Sequence, residues 1–137
     1  MLAAKDGIVV RADLGYTDLT ETELAAANER IANGGANDFD VIDLFRGRQV
    51  WIDHGKGIIT RYAHLSGIAE GITEGARVAA GQPIAFVGDS GTPESLSNPG
   101  QETHVHWELR VGESFLGANL PPTEVREIYT RVFQAVD

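Results

Sequence analysis

Short apolar runs separated by turn residues dominate the chain. The turn at Asp6-Gly7 feeds Ile8-Val9-Val10, a β-branched run that predicts a first strand. Gln49 to His54 predicts a second strand, and His54-Gly55-Lys56-Gly57 turns it into a third, Ile58 to Leu65, as a hairpin. Ile84 to Val87, preceded by Val78 and Gly81-Gln82-Pro83 and ended by Gly88, predicts a fourth. Thr103 to Val111 predicts a fifth. Strands this short, with sixteen glycines among them, predict an all-β core: an antiparallel sheet closed as a sandwich or barrel.

Two segments change period. Thr20 and Glu23 form a capping box, and Leu24, Ala27 and Ile31 follow at helical spacing until Gly34-Gly35. This helix interrupts the early strands, as an insertion over about residues 13–47. After Pro121-Pro122, Thr123 as N-cap and Glu124 open a C-terminal helix over about 123–136. Its apolar stripe is Val125, Ile128, Tyr129, Val132, Phe133 and Val136, expected to cover an open side or end of the sheet. The loop from Asp89 to Gln101 is polar, turn-rich and set between strands, where function concentrates.

Composition narrows the classes. With 137 residues, 42% of them hydrophobic, the chain reads as a single domain, 1–137, able to bury a core. No apolar run approaches the roughly 18 residues of a membrane span, and no leader pattern opens the chain. The absence of cysteine excludes disulfides and cysteine-held metals. A net charge of −9 disfavours nucleic acid. Eight acids and one base, Arg30, lie between Asp13 and Asp43, so the acidity belongs to the insertion.

The candidate chemistry rests on His54, His64, His104 and His106. Along Thr103–Val111 the alternation puts His104, His106, Glu108 and Arg110 on one face, and Val105, Trp107, Leu109 and Val111 on the other, the core. Two imidazoles in phase can divide the work of holding a metal and moving a proton. A solvated strand face is the plainer reading of the same pattern. His64 ends the third strand in phase with Thr60 and Tyr62, and reads equally as a half-buried residue bonded to a carbonyl. His54 reads as a histidine bonding turn backbone.

Five segments come in a familiar order: Gln49 to Gly57, Tyr62-Ala63-His64-Leu65-Ser66, Gly75 to Val78 with Gly81-Gln82-Pro83-Ile84, Gly88-Asp89-Ser90-Gly91, and His104-Val105-His106-Trp107-Glu108-Leu109. From about Ala3 to Leu109, the insertion excepted, the chain resembles the lysostaphin-like zinc metalloendopeptidases, which cut peptide cross-links of bacterial cell walls. The resemblance implies a compact antiparallel β domain with a groove across its sheet, of the hybrid-motif barrel type. It implies His106 as a zinc ligand, His104 and His64 as catalytic histidines, His54 as a non-ligand, and Tyr62 as a substrate-binding residue. It implies one Zn2+, peptidoglycan peptides as partners, and a place in the bacterial cell envelope or outside the cell. Zinc-activated water would attack the peptide carbonyl, one histidine taking its proton and another steadying the oxyanion.

The family's two other zinc ligands come from a His-x-x-x-Asp motif upstream of the strand that is here Ala3 to Val10, and this sequence contains none. The expectation is a peptidase domain whose first metal motif lies upstream of residue 1, inactive alone. A non-catalytic cell-envelope binding or regulatory domain on the same fold is the alternative, as is a site completed by Glu108 or His54. A missing strand is expected to leave an edge open to self-association. The insertion is expected beside the groove, as a flap favouring amine-bearing peptides or as plain surface. Asp6 to Val9 and Val78 to Ile84 also look like half-motifs of biotinyl and lipoyl carriers, but neither Lys5 nor Lys56 sits at the hairpin tip such carriers need. A phosphohistidine carrier using His64 and His104 leaves the His-x-His strand unexplained.

Overall fold

The structure is a computed structural model that describes residues 1–134. In chain order it contains β1 (Gly7–Ala12), α1 (Glu21–Ala32), a 3-10 turn (Gly35–Asn37), α2 (Phe39–Arg46), β2 (Val50–Asp53), β3 (Ile58–Ala63) and β4 (Leu65–Ile68). β5 (Arg77–Val78), β6 (Ala85–Val87), α3 (Glu94–Ser97), β7 (His106–Val111), β8 (Ser114–Phe115) and α4 (Pro122–Gln134) follow. Six strands form one antiparallel sheet in the order β5-β1-β2-β3-β7-β8, and β4 pairs with β6 as a second, two-stranded sheet.

Register decides what each face carries, because directly opposed residues point the same way. Val50, Tyr62 and Trp107 line up across β2, β3 and β7, as do Ile52, Thr60 and Leu109. This face is the core: Val50, Ile52, Thr60 and Tyr62 are buried, and they pack with Val9, Leu65, Ile72, Ile84 and Ala85. The other face carries Trp51, Arg61 and Glu108 in one row and Asp53, Ile59 and Arg110 in the next. The antiparallel, two-layered β architecture expected from the turn-rich pattern is present.

Two strand limits differ from expectation, and so does the burial of two valines. His64 takes a left-handed φ of 54°, a conformation histidine tolerates better than most residues, and the chain turns there from the large sheet into the small one. The third strand therefore ends at Ala63. β7 begins at His106, leaving His104 outside it on a single bridge to Gly88. Val105 and Val111 are 63% and 48% exposed rather than core, Val105 preceding β7 and Val111 ending it.

The insertion holds a second helix, α2, that the sequence-based reading lacks. In α1 the expected capping box is formed between Thr20 and Glu23. Ala27 of α1 and Val41 of α2 are buried, and Arg30 grips both Asp38 and Asp40. Asp43 on α2 accepts from Arg11 on β1 (2.7 Å) and from the buried Gln49 (2.9 Å), which lays α2 against the non-core face of the sheet. α4 starts one residue before the expected Thr123, with Pro122 in its first turn. Its Tyr129 meets Trp107 edge-on and donates to Leu116 O, so the helix covers the β7–β8 end of the sheet. Val136 of the expected stripe lies outside the described residues. The outer edge of β1 is paired by β5 at Gly7 and Ile8, and backbone bonds to Ala76 and Gly75 extend this to Val9.

The insertion's exit is tight. Gly47 has φ 64° and ψ −145°, and a Cβ there would lie 2.2 Å from Ser90 O. Gly47→Ala is expected to cost about 2 kcal/mol or more, by backbone strain and displaced contact. Gly15→Ala, with nothing near its Cβ position, is expected to stay within about 0.5 kcal/mol. Urea denaturation midpoints of the two variants check this.

Candidate functional site: a histidine cluster at the corner of two sheets

His64 is fixed from both ends. Its N–H donates to Arg46 O (2.8 Å), and its ring Nδ1 lies 2.9 Å from Ser90 O. A carbonyl only accepts, so Nδ1 carries a proton and Nε2 faces the site. His106, opposite Ala63 at the start of β7, places Nδ1 3.0 Å from His64 Nε2 and Nε2 3.1 Å from Glu108 Oε1. His104 is exposed, with Nδ1 2.6 Å from Glu102 O and its ring centroid 4.7 Å from that of His64. The centroids of His64 and His106 are 4.9 Å apart.

The chain Ser90 O···His64···His106···Glu108 ends in an acceptor on each side. Its three hydrogen bonds need three protons on two rings, one more than two neutral imidazoles carry. Burial holds the His64 imidazole below its usual pKa. Burial pushes the Glu108 carboxyl up, but the His106 hydrogen bond and the Arg46 guanidinium outweigh it and hold it at about 2.

Arg46, at the end of α2, donates from Nε to Glu108 Oε1 at 2.8 Å, with Nη2 at 2.7 Å. Arg61 and Arg110 approach Glu108 Oε2 at 3.8 and 3.7 Å, too far for hydrogen bonds. Arg61 also stacks on Trp51 with its guanidinium carbon 3.7 Å from the ring centroid. Burial and the neighbouring Arg110 depress its pKa. Arg46 thus serves both histidines, its backbone accepting from His64 and its side chain gripping the carboxylate that holds His106.

A family model for peptidase family M23 matches residues 1–117. The chain belongs to peptidase family M23. A search of curated proteins finds no match. Among solved structures, a zinc-containing peptidase from Vibrio cholerae is similar at 22% identity and TM-score 0.52, over 85% of this chain and 26% of that one. A catalytic-domain mutant of the prophage-encoded M23 protein EnpA from Enterococcus faecalis is similar at 20% and 0.52, over 85% and 64%. The SpoIIQ–SpoIIIAH pore-forming complex gives 20% and 0.52, over 91% and 60%. These likenesses concern the fold, and the chain spans about a quarter of the Vibrio protein.

The M23 resemblance implied zinc on His106, and the residues present do not fit that ion. Both ring nitrogens of His106 are engaged, and a metal needs one bare. Three guanidinium groups crowd the adjoining carboxylate. Among the described residues, no three His, Cys, Asp or Glu side chains are grouped to hold a metal.

His64, His104 and His106 are brought together; Tyr62 is not. It is 2% exposed on the core face, and its hydroxyl accepts from Ala4 N–H at 2.8 Å. Two residues from His64 means the same side of a strand only if the strand continues, and it turns at His64. Tyr62 therefore belongs to the core. His54 bonds Asp6 O from Nδ1 and lies 2.8 Å from Thr60 Oγ1 by Nε2, joining neighbouring segments instead of its own turn. Sequence reasoning missed Arg46 and Ser90. The Gly88-Asp89-Ser90-Gly91 motif signalled the second; nothing local signalled the first.

Asp18 ties the insertion's entry to the loop that carries Ser90. One of its oxygens accepts from Leu19 N (2.8 Å), Gly91 N (3.0 Å) and Ser95 Oγ (3.3 Å). Burial opposes the charge, but these bonds prevail and depress the carboxyl pKa. A depressed carboxyl stabilises the fold above its unfolded pKa of about 3.9 and loses that contribution as pH falls through the folded value. Asp18→Asn is expected to lower the denaturation midpoint at neutral pH and to flatten its decline below about pH 4. Midpoints measured across the acid range check both.

Proposed function

We propose that this chain recognises peptide cross-links of bacterial peptidoglycan, in the cell envelope or outside the cell, and that its own residues bind them without cutting. The observation that carries the reading is the state of His106, engaged by His64 at 3.0 Å and by Glu108 at 3.1 Å. A divalent cation would have to displace a shared proton and approach three guanidinium groups. Membership of M23 supports a peptide as the ligand. The exposed His104, whose Nδ1 lies against Glu102 O, offers its Nε2 edge to such a peptide. No helix among the described residues is long and apolar enough to cross a membrane.

A second reading, hydrolysis of the same peptides as a zinc metallopeptidase, is favoured by the convergence of three imidazoles around His64. It requires metal ligands beyond the described set.

The chain is loaded with zinc, dialysed, assayed for metal, and incubated with a cross-linked peptide, with His106→Ala as control. The expected outcome is no retained zinc and a peptide bound intact. Zinc held by the parent chain and lost in the variant, with cleavage, overturns the binding reading in favour of the peptidase. Failure to bind the peptide overturns both.

A further inference from the structure

We propose that the 280 Å³ pocket between the insertion and the histidines binds the C-terminal residue of a peptide. Its carboxylate would meet Arg46 and a small aliphatic side chain would pack on Ile31, Ile42 and Phe45. The proposal rests on the peptide-binding reading and names the group this end of the site takes.

Charge is the first argument. The side chains of Arg46, Arg61 and Arg110 are 14%, 13% and 17% exposed, and Glu108 is the carboxylate they share. One carboxylate cannot balance three guanidinium groups out of water, where unpaired charge is costly. Of the insertion's acids nearby, Asp38 and Asp40 are committed to Arg30, and Asp43 pairs with Arg11 while its charge is also felt at Arg46 and Arg61. The sheet face around Glu108, which the pocket adjoins through Arg46, is therefore short of negative charge in a chain whose net charge is −9.

Geometry is the second. Glu108 engages Nε and Nη2 of Arg46, leaving the Nη1 edge of the fork for another carboxylate, the partner for which a planar guanidinium is best shaped. Arg46, His64 and His106 line the pocket together with apolar side chains from the insertion. At 280 Å³ it lies below the roughly 300–1,000 Å³ of sites that enclose drug-sized ligands, room for one residue instead of a length of chain.

The test titrates the isotope-labelled full chain with N-acetyl-alanine and with N-acetyl-alanine amide, following backbone amide shifts. The acid is expected to bind at least about tenfold more tightly than the amide, by a charge-assisted contact the amide lacks. Arg46→Gln and Ile31→Asp are each expected to abolish that preference. Ile31 is 37% exposed, so its variant decides the matter should Arg46→Gln fail to fold. Equal affinity for acid and amide, or a preference that survives in a folded variant, overturns the proposal. A cross-linked peptide with amidated ends separates the two readings. If it binds while the acid shows no preference, the pocket assignment alone fails; if neither binds, peptide recognition fails with it.

Discussion

Glu108 stands at the middle of the non-core face, where His106, Arg46, Arg61 and Arg110 compete for its two oxygens. Its negative charge is what makes the rest of that face tenable. Without it, three half-buried guanidinium groups would repel one another across two strands, and His106 would lose the acceptor that orients its ring. The same carboxylate fixes the insertion, because the last residue of α2 reaches it. Fold and site are thus held by one group, and a substitution there would be felt in both.

The two faces of the large sheet divide the work. The core face is closed by the small sheet and needs only apolar volume, with Thr60 and Tyr62 sharing a hydrogen bond inside it. The opposite face is polar yet covered, and it manages this with a relay: Asp43 on α2 takes Arg11 and Gln49, and Gln49 takes the Trp51 indole at 2.8 Å. Arg11 and Arg61 lie over that indole from the flanking strands. Buried polar groups that satisfy one another cost little and specify one arrangement, which is how an acidic excursion settles on a sheet.

Much of this was legible where it is local. The period-two pattern around His106 identified the face that bears His106 and Glu108, and the capping box at Thr20 identified α1. The motif order pointed to the family because each motif marks a turn or strand end the fold requires. α2 was not legible. It has only eight residues, and its N-cap Asp38 makes no side-chain cap bond. Arg46 was hidden for a related reason: its partner is 62 residues away, and no local period encodes a contact of that range. The resemblance gave Tyr62 a substrate-binding role, whereas the chain turns left-handed at His64 and Tyr62 stays on the buried face.

The insertion meets the domain at two stitched ends, Asp18 against Gly91 and Arg46 against His64, while its far tip at Gly34-Gly35 is open. The ends hold the segment to the domain, so it behaves like a handle bolted at both feet. Residues added at the tip lengthen a loop whose closure cost grows only slowly with length. Length added between Gly34 and Gly35 leaves both stitched ends, and with them the histidine corner, in place.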